Sequence, residues 1–152
     1  MGSPMAQFSL IPADDAADLA DDIRELFDDL SRTLDPQARA SSGECHPTLD
    51  VLESDRAIEV TVDVSGIPAA AVRVLFRGGV LVIAGEKAAV RPGPDQTFHL
   101  VEREFGRFAR AVRLQGALDI SKARAELRNG ELTIVLPKRD ERRGGAHHIP
   151  VR

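Results

Sequence analysis

Residues 125–136 read AELRNGELTIVL. Asn129-Gly130 lies between two runs of strand-forming residues, and Asn-Gly is the strongest short hairpin signal, because a tight two-residue turn needs positive φ at both central positions. The same grammar recurs at 72–84, VRVLFRGGVLVIA, where Gly78-Gly79 divides two β-rich runs. A phosphate-binding reading of those glycines fails, since neither Lys-Ser/Thr nor a helix follows them. Upstream, Ile58, Val60, Val62 and Val64 alternate with polar neighbours, as do Leu49 and Val51, which is the period of a half-buried strand. Between the hairpins, Val101 to Leu114 reads as one long strand with Phe105, Phe108 and Val112 available for the core. Seven or eight short strands between about Pro47 and Pro137, with no helix among them, predict an all-β fold: a two-layer antiparallel sandwich.

The period changes outside that block. Residues 14–34 carry Ala16, Leu19, Ile23, Leu26, Phe27, Leu30 and Leu34 at steps of three and four, which lines one face of a helix. Asp14, Asp15 and Asp18 suit its positive N-terminal end, and Pro36 stops the pattern. Such a face packs either on its own domain or, detached by the Ala-, Ser- and Gly-rich linker 37–44, on neighbouring subunits and exposed apolar clients.

Two other segments stand apart. Pro92-Gly93-Pro94 interrupts the middle of the block, and Thr97-Phe98-His99-Leu100 follows as a small β-rich island. It can cover an edge of its own sandwich or reach a neighbour's edge strand, since exposed edges must be covered somehow. Downstream, the charged run Lys138–Arg143 ends in Gly144-Gly145 and reads as a solvated tether. Ile149-Pro150-Val151 stands just before the final Arg152 of the sequence. In extended backbone, residues i and i+2 point the same way, so Ile149 and Val151 form a two-pronged apolar plug. Pro150 stiffens it and removes a donor.

Composition narrows the function classes. The 152 residues leave room for one domain of about 90–100 residues plus two arms. The net charge is −4, yet nine acidic residues through Pro36 face only Arg24 and Arg32, so the arm carries −7 and the remainder +3. No basic stripe is interleaved with aromatics, which argues against nucleic acid as a partner. No apolar run approaches the roughly 18–20 residues that cross a bilayer, and no signal-peptide pattern is present. The single cysteine, Cys45, has no internal partner, which fits a reducing cytoplasm and a structural thiol. Met1-Gly2-Ser3-Pro4 reads as a cloning remnant before a native Met5. No nucleophile–base constellation, metal-ligand spacing or cofactor fingerprint emerges, His147-His148 included. The expectation is therefore no enzyme, no cofactor and no metal.

In order along the chain stand Pro47-Thr48-Leu49-Asp50-Val51 with Glu53, Val62-Asp63-Val64-Ser65-Gly66-Ile67-Pro68, and Leu81-Val82-Ile83-Ala84-Gly85-Glu86-Lys87. Glu102-Arg103-Glu104-Phe105-Gly106-Arg107-Phe108-Ala109-Arg110 follows, then Ala125–Leu132, which matches A-x-x-x-N-G-x-L, and Ile149-Pro150-Val151. With these pieces the chain resembles the small heat-shock (α-crystallin) proteins, of the bacterial type, in detail from about Pro47 to Lys138. Leu114-Gln115-Gly116 stands where that family has Leu-Pro.

The resemblance implies an immunoglobulin-like α-crystallin domain at 46–138. An N-terminal arm at 5–45, with its helix at about 14–34, would precede it, and a flexible C-terminal extension at 139–152 would follow. It implies an ATP-independent chaperone that holds unfolding client proteins and assembles with itself, first as a dimer and then as a higher homo-oligomer. By the same resemblance Thr97, Phe98, His99 and Leu100 form a strand exchanged between partners, and Arg110 lies at the dimer interface. Ile149, Pro150 and Val151 would dock in a groove of another dimer, lined by Val72, Val74, Phe76, Ala125 and Leu127. Leu19, Ile23, Leu26, Phe27 and Leu30 would serve assembly or clients. The rival reading is a CS-type adaptor or co-chaperone that binds one defined partner as a monomer.

Overall fold

The computed structural model describes residues 8–9, 16–34, 43–139 and 146–152. Among the described residues one α-helix and nine strands follow one another: β1 (Phe8–Ser9), α1 (Ala16–Thr33), β2 (Leu49–Glu53), β3 (Ala57–Asp63), β4 (Val72–Arg77), β5 (Val80–Lys87), β6 (Gly106–Leu114), β7 (Arg124–Arg128), β8 (Glu131–Pro137) and β9 (Ala146–His148). They build two antiparallel sheets, ordered β1-β6-β5-β4-β9 and β2-β3-β8-β7. The sandwich inferred from alternation is therefore the fold, and each tail adds a short strand to one edge of the first sheet.

Both hairpins form where the glycines placed them. Arg77 pairs with Val80 and Arg128 with Glu131, leaving Gly78-Gly79 and Asn129-Gly130 as two-residue loops. All four loop residues have positive φ, from 53° to 80°, so both are type I′ turns whose twist matches that of the strands.

The alternating residues meet between the sheets. Ile58, Val60 and Val62 of β3 and Leu132, Ile134 and Leu136 of β8 are fully buried against Val72, Val74 and Phe76 of β4 and Leu81 and Ile83 of β5.

β5 does not alternate, and the reason is on its other face. Val82 and Ala84 join Leu75 of β4 in a second cluster, closed by Leu26 of α1 with Leu19, Ile23 and Phe27 packed around it. A strand covered on both sides reads as a continuous apolar run. Leu30 is buried as well. The helical arm thus sits on its own domain. Burying Leu26 and Leu30 stabilises by about 1.5–3 kcal/mol each, and it is this packing of an amphipathic face that supplies most of a helix's stability in a protein.

β6 is shorter than the 101–114 strand the sequence suggested. Gly106 has φ +124°, and a Cβ there would lie 2.1 Å from the carbonyl oxygen of Gly43. That approach lets the Arg107 N–H donate to Gly43 (3.2 Å) and the Cys45 N–H donate to Arg107 (3.1 Å). Residues 43–45 thereby take the edge where a longer β6 would have continued. Phe105, expected in the core, is half-buried beneath the cations of Lys87 and Arg103; Phe108 is buried and Val112 packs against the core.

Candidate functional site

The last residues of the chain bridge both sheets. β9 pairs antiparallel with β4, Leu75 opposite His148 and Arg77 opposite Ala146. The Ile149 N–H then donates to the Val74 carbonyl (3.0 Å), the Arg152 N–H to Ala125 (3.1 Å) and the Leu127 N–H to Arg152 (2.7 Å). Val151 stands parallel to Ala125 of β7. Ile149 is only 4% exposed and belongs to the main core, Val151 packs beside it, and Pro150 points to solvent. The two prongs enter the groove between β4 and β7, where Val72, Val74, Phe76 and Ala125 are buried and Leu127 is half-buried. In a single chain the groove is filled by that chain's own tail, whereas the resemblance implied the groove of another dimer. Backbone pairing to β4 and β7 is equally open to an extended segment of any chain.

The segment after β5 differs. Val90, Phe98, Leu100 and Val101 are exposed by 57%, 51%, 72% and 61%, and residues 88–105 pair with neither sheet. Its one local fold is a turn in which the Gln96 N–H donates to the Gly93 carbonyl at 3.1 Å. Thr97, Phe98, His99 and Leu100 therefore do not cover an edge of their own sandwich, and β2 remains the open edge of the second sheet.

A model of the Hsp20/alpha crystallin family matches residues 50–152. The chain belongs to that family. It is 33% identical over 105 residues to the 17.6 kDa class I heat shock protein of Helianthus annuus, covering 68% of this chain and 69% of that one. It is 33% identical over 95 residues to the spore protein SP21 of Stigmatella aurantiaca, where it spans 62% of itself and 56% of the relative. Among solved structures, heat shock protein 16.0 of Schizosaccharomyces pombe superposes with a TM-score of 0.61 at 29% identity, over 66% of this chain and 94% of that one. The Hsp20 proteins are chaperones rather than enzymes.

Within this Hsp20 fold, Arg110 lies on β6 and donates to the Pro47 carbonyl oxygen at 2.6 Å. It braces the approach to β2 in the single chain. The client face expected on the helix is turned inward: Leu26 and Leu30 are buried and Leu19, Ile23 and Phe27 half-buried.

Sequence reasoning missed the polar frame that seats α1. Arg73 Nε donates to Asp29 at 2.6 Å and Arg73 Nη2 to Thr33 Oγ1 at 2.9 Å. Arg77 pairs with Asp22. Arg107 lies 4.9 Å above the Phe27 ring and also bonds the buried Glu86 at 3.0 Å. The hydrogen bond from Arg73 holds the Asp29 carboxyl below the ordinary carboxylate value, against some opposing desolvation. The available signal was the outward row Leu75, Val82, Ala84, apolar where a solvated sheet face would be polar. Cys45, likewise, is buried, and burial pushes its thiol up; Sγ lies 3.4 Å from the Gly106 carbonyl oxygen.

Proposed function

We propose that this chain is an ATP-independent holdase that binds partly unfolded proteins and works as an oligomer of dimers in the cytoplasm. The observation that carries the reading is the Ile149–Val151 plug seated between β4 and β7 by two apolar prongs and edge hydrogen bonds. The same contacts made from a neighbouring chain link dimers. Burying the two prongs stabilises by about 1.5–3 kcal/mol each, and ordering the tether offsets about 2–5 kcal/mol. A single plug is therefore weak, and a stable assembly rests on many of them. Weak repeated contacts exchange, and exchange bares apolar surface able to hold a client.

The dimer comes from the exposed Thr97–Leu100 segment laid on the open β2 edge of a partner, with Arg110 near the seam. Among the described residues no helix is long and apolar enough to cross a membrane.

Light scattering on the full chain and on a chain ending at Arg143, with suppression of aggregation of a heat-denatured client, tests this. A large assembly that falls to a dimer on truncation is expected. A monomer in both cases, without client protection, favours the adaptor reading.

A further inference from the structure

The outer face of β4 and β5 is covered by α1. Its floor is Leu75, Val82 and Ala84, which form a cluster separate from the sandwich core and closed by Leu26 of α1. Its rim is cationic, with Arg73 on Asp29, Arg77 on Asp22 and Arg107 over Phe27. α1 contributes no backbone pairing to either sheet. What the rim and floor recognise is a spacing, Asp-x-x-x-Leu-Phe-x-Asp-Leu, from Asp22 to Leu30, which places two carboxylates beside an apolar stripe on one helical face. We propose that this face is a docking surface for acidic amphipathic helices, and that α1 is its resident, displaceable ligand. A client helix with this spacing takes its place.

Charge complementarity favours such a partner: the arm carries −7 and the rest of the chain +3. The tether decides between a client and a second copy. Gly43, ten residues beyond Thr33, is held by the N–H of Arg107, the residue that also covers Phe27. The resident helix is therefore anchored at the rim of its own site, at a high effective concentration. An identical helix from a second copy gains nothing over it. A client helix with a broader apolar stripe or more carboxylates does. This inference rests on the holdase reading and specifies which clients this face takes.

The test uses full-length chain and a fluorescein-labelled peptide of unrelated sequence that keeps only the nine-residue spacing. Leu26→Asp with Leu30→Asp ejects the resident helix while leaving the receptor face intact. Fluorescence anisotropy should show the peptide binding this variant at least about tenfold more tightly than the wild type, since the resident competes. Adding Arg73→Glu and Arg77→Glu should weaken it again by about tenfold, and a peptide with arginines at the two carboxylate positions should restore binding, which a misfolded receptor does not do. Equal binding to wild type and ejected variant, or binding indifferent to the arginines, overturns the proposal. So does energy transfer showing that labelled α1 of one wild-type chain occupies another chain's face. Suppression of client aggregation, measured on the same variants, separates the two readings: if it persists while the peptide fails to bind, the docking surface falls and the holdase stands.

Discussion

The Ile149 N–H donates to the carbonyl oxygen of Val74 at 3.0 Å, and the Ile149 side chain goes into the core beside it. The tail is thus both an added strand and an added core residue. Truncating a buried isoleucine to alanine in a packed core costs about 2–5 kcal/mol, which exceeds what a terminal segment gains by docking. The tail should come off before the domain unfolds. For Ile149→Ala we expect the amides of Ile149 and Arg152 to lose hydrogen-exchange protection, light scattering to report a smaller particle, and the domain to melt nearly unchanged. A strongly lowered melting temperature would show the residue to be integral to the domain.

Phe98 and Leu100 are 51% and 72% exposed. Substituting exposed residues usually changes stability by no more than about 0.5 kcal/mol. Phe98→Asp with Leu100→Asp should therefore leave the melting of the single domain alone and convert dimer to monomer in sedimentation. An intact dimer would remove the exchange strand from the assembly scheme.

At Gly106, a Cβ would sit 2.1 Å from the Gly43 carbonyl oxygen at φ +124°. Gly106→Ala combines backbone strain of about 1–3 kcal/mol with overpacking of similar size. Residues 43–45 should detach and the denaturant midpoint should fall. Gly116→Ala is the control: its φ is +106° with nothing within 4 Å, so it carries the strain alone and should cost distinctly less.

What was legible in the sequence is what local pattern encodes. β3 and β8 alternate because one face of each is buried, and both hairpins announce themselves by residues suited to positive φ. The groove residues Val72, Val74, Phe76, Ala125 and Leu127 came from the family resemblance and not from local pattern, which shows only that β4 and β7 carry an apolar inner row. The helix was legible as a helix, but its seat was not: Arg73 and Asp29 are 44 residues apart and Arg77 and Asp22 are 55 apart, and no periodicity links them. Val101–Phe105 looked like strand because its residues suit one, while a contact from Gly43 across the fold ends the strand at Gly106. Which chain's groove the plug fills lies beyond sequence pattern, since the same backbone donors and acceptors serve either.

Cys45 is the chain's one thiol, and burial raises its pKa above the ordinary thiol range. Thiolate is the reactive form, so at neutral pH alkylation should follow opening of the 43–47 segment rather than free-thiol chemistry. Iodoacetamide labelling is expected to be slow in native protein and complete in denaturant. Gly106→Ala, which loosens that segment, should accelerate it; the same rate in native and denatured chain would place the thiol at the surface.

The hydrogen bond from Arg73 lowers the Asp29 pKa below 3.8 in the folded chain, with Arg32 and His148 adding smaller attractions. A carboxylate depressed on folding stabilises above its unfolded pKa of about 3.9, and that increment is lost as pH falls through the lower folded value. The Asp29 side chain is 49% exposed, so the increment is that of a surface pair, about 0.2–1 kcal/mol. Asp29→Asn should therefore loosen α1 at pH 6, seen as faster amide exchange at Leu26 and Leu30. As the pH falls below the ordinary carboxylate range and through the lowered folded pKa the two proteins should converge, because the wild-type carboxyl becomes protonated. A difference that persists undiminished in acid would mean that α1 is held at this point by packing around the side chain and not by its charge.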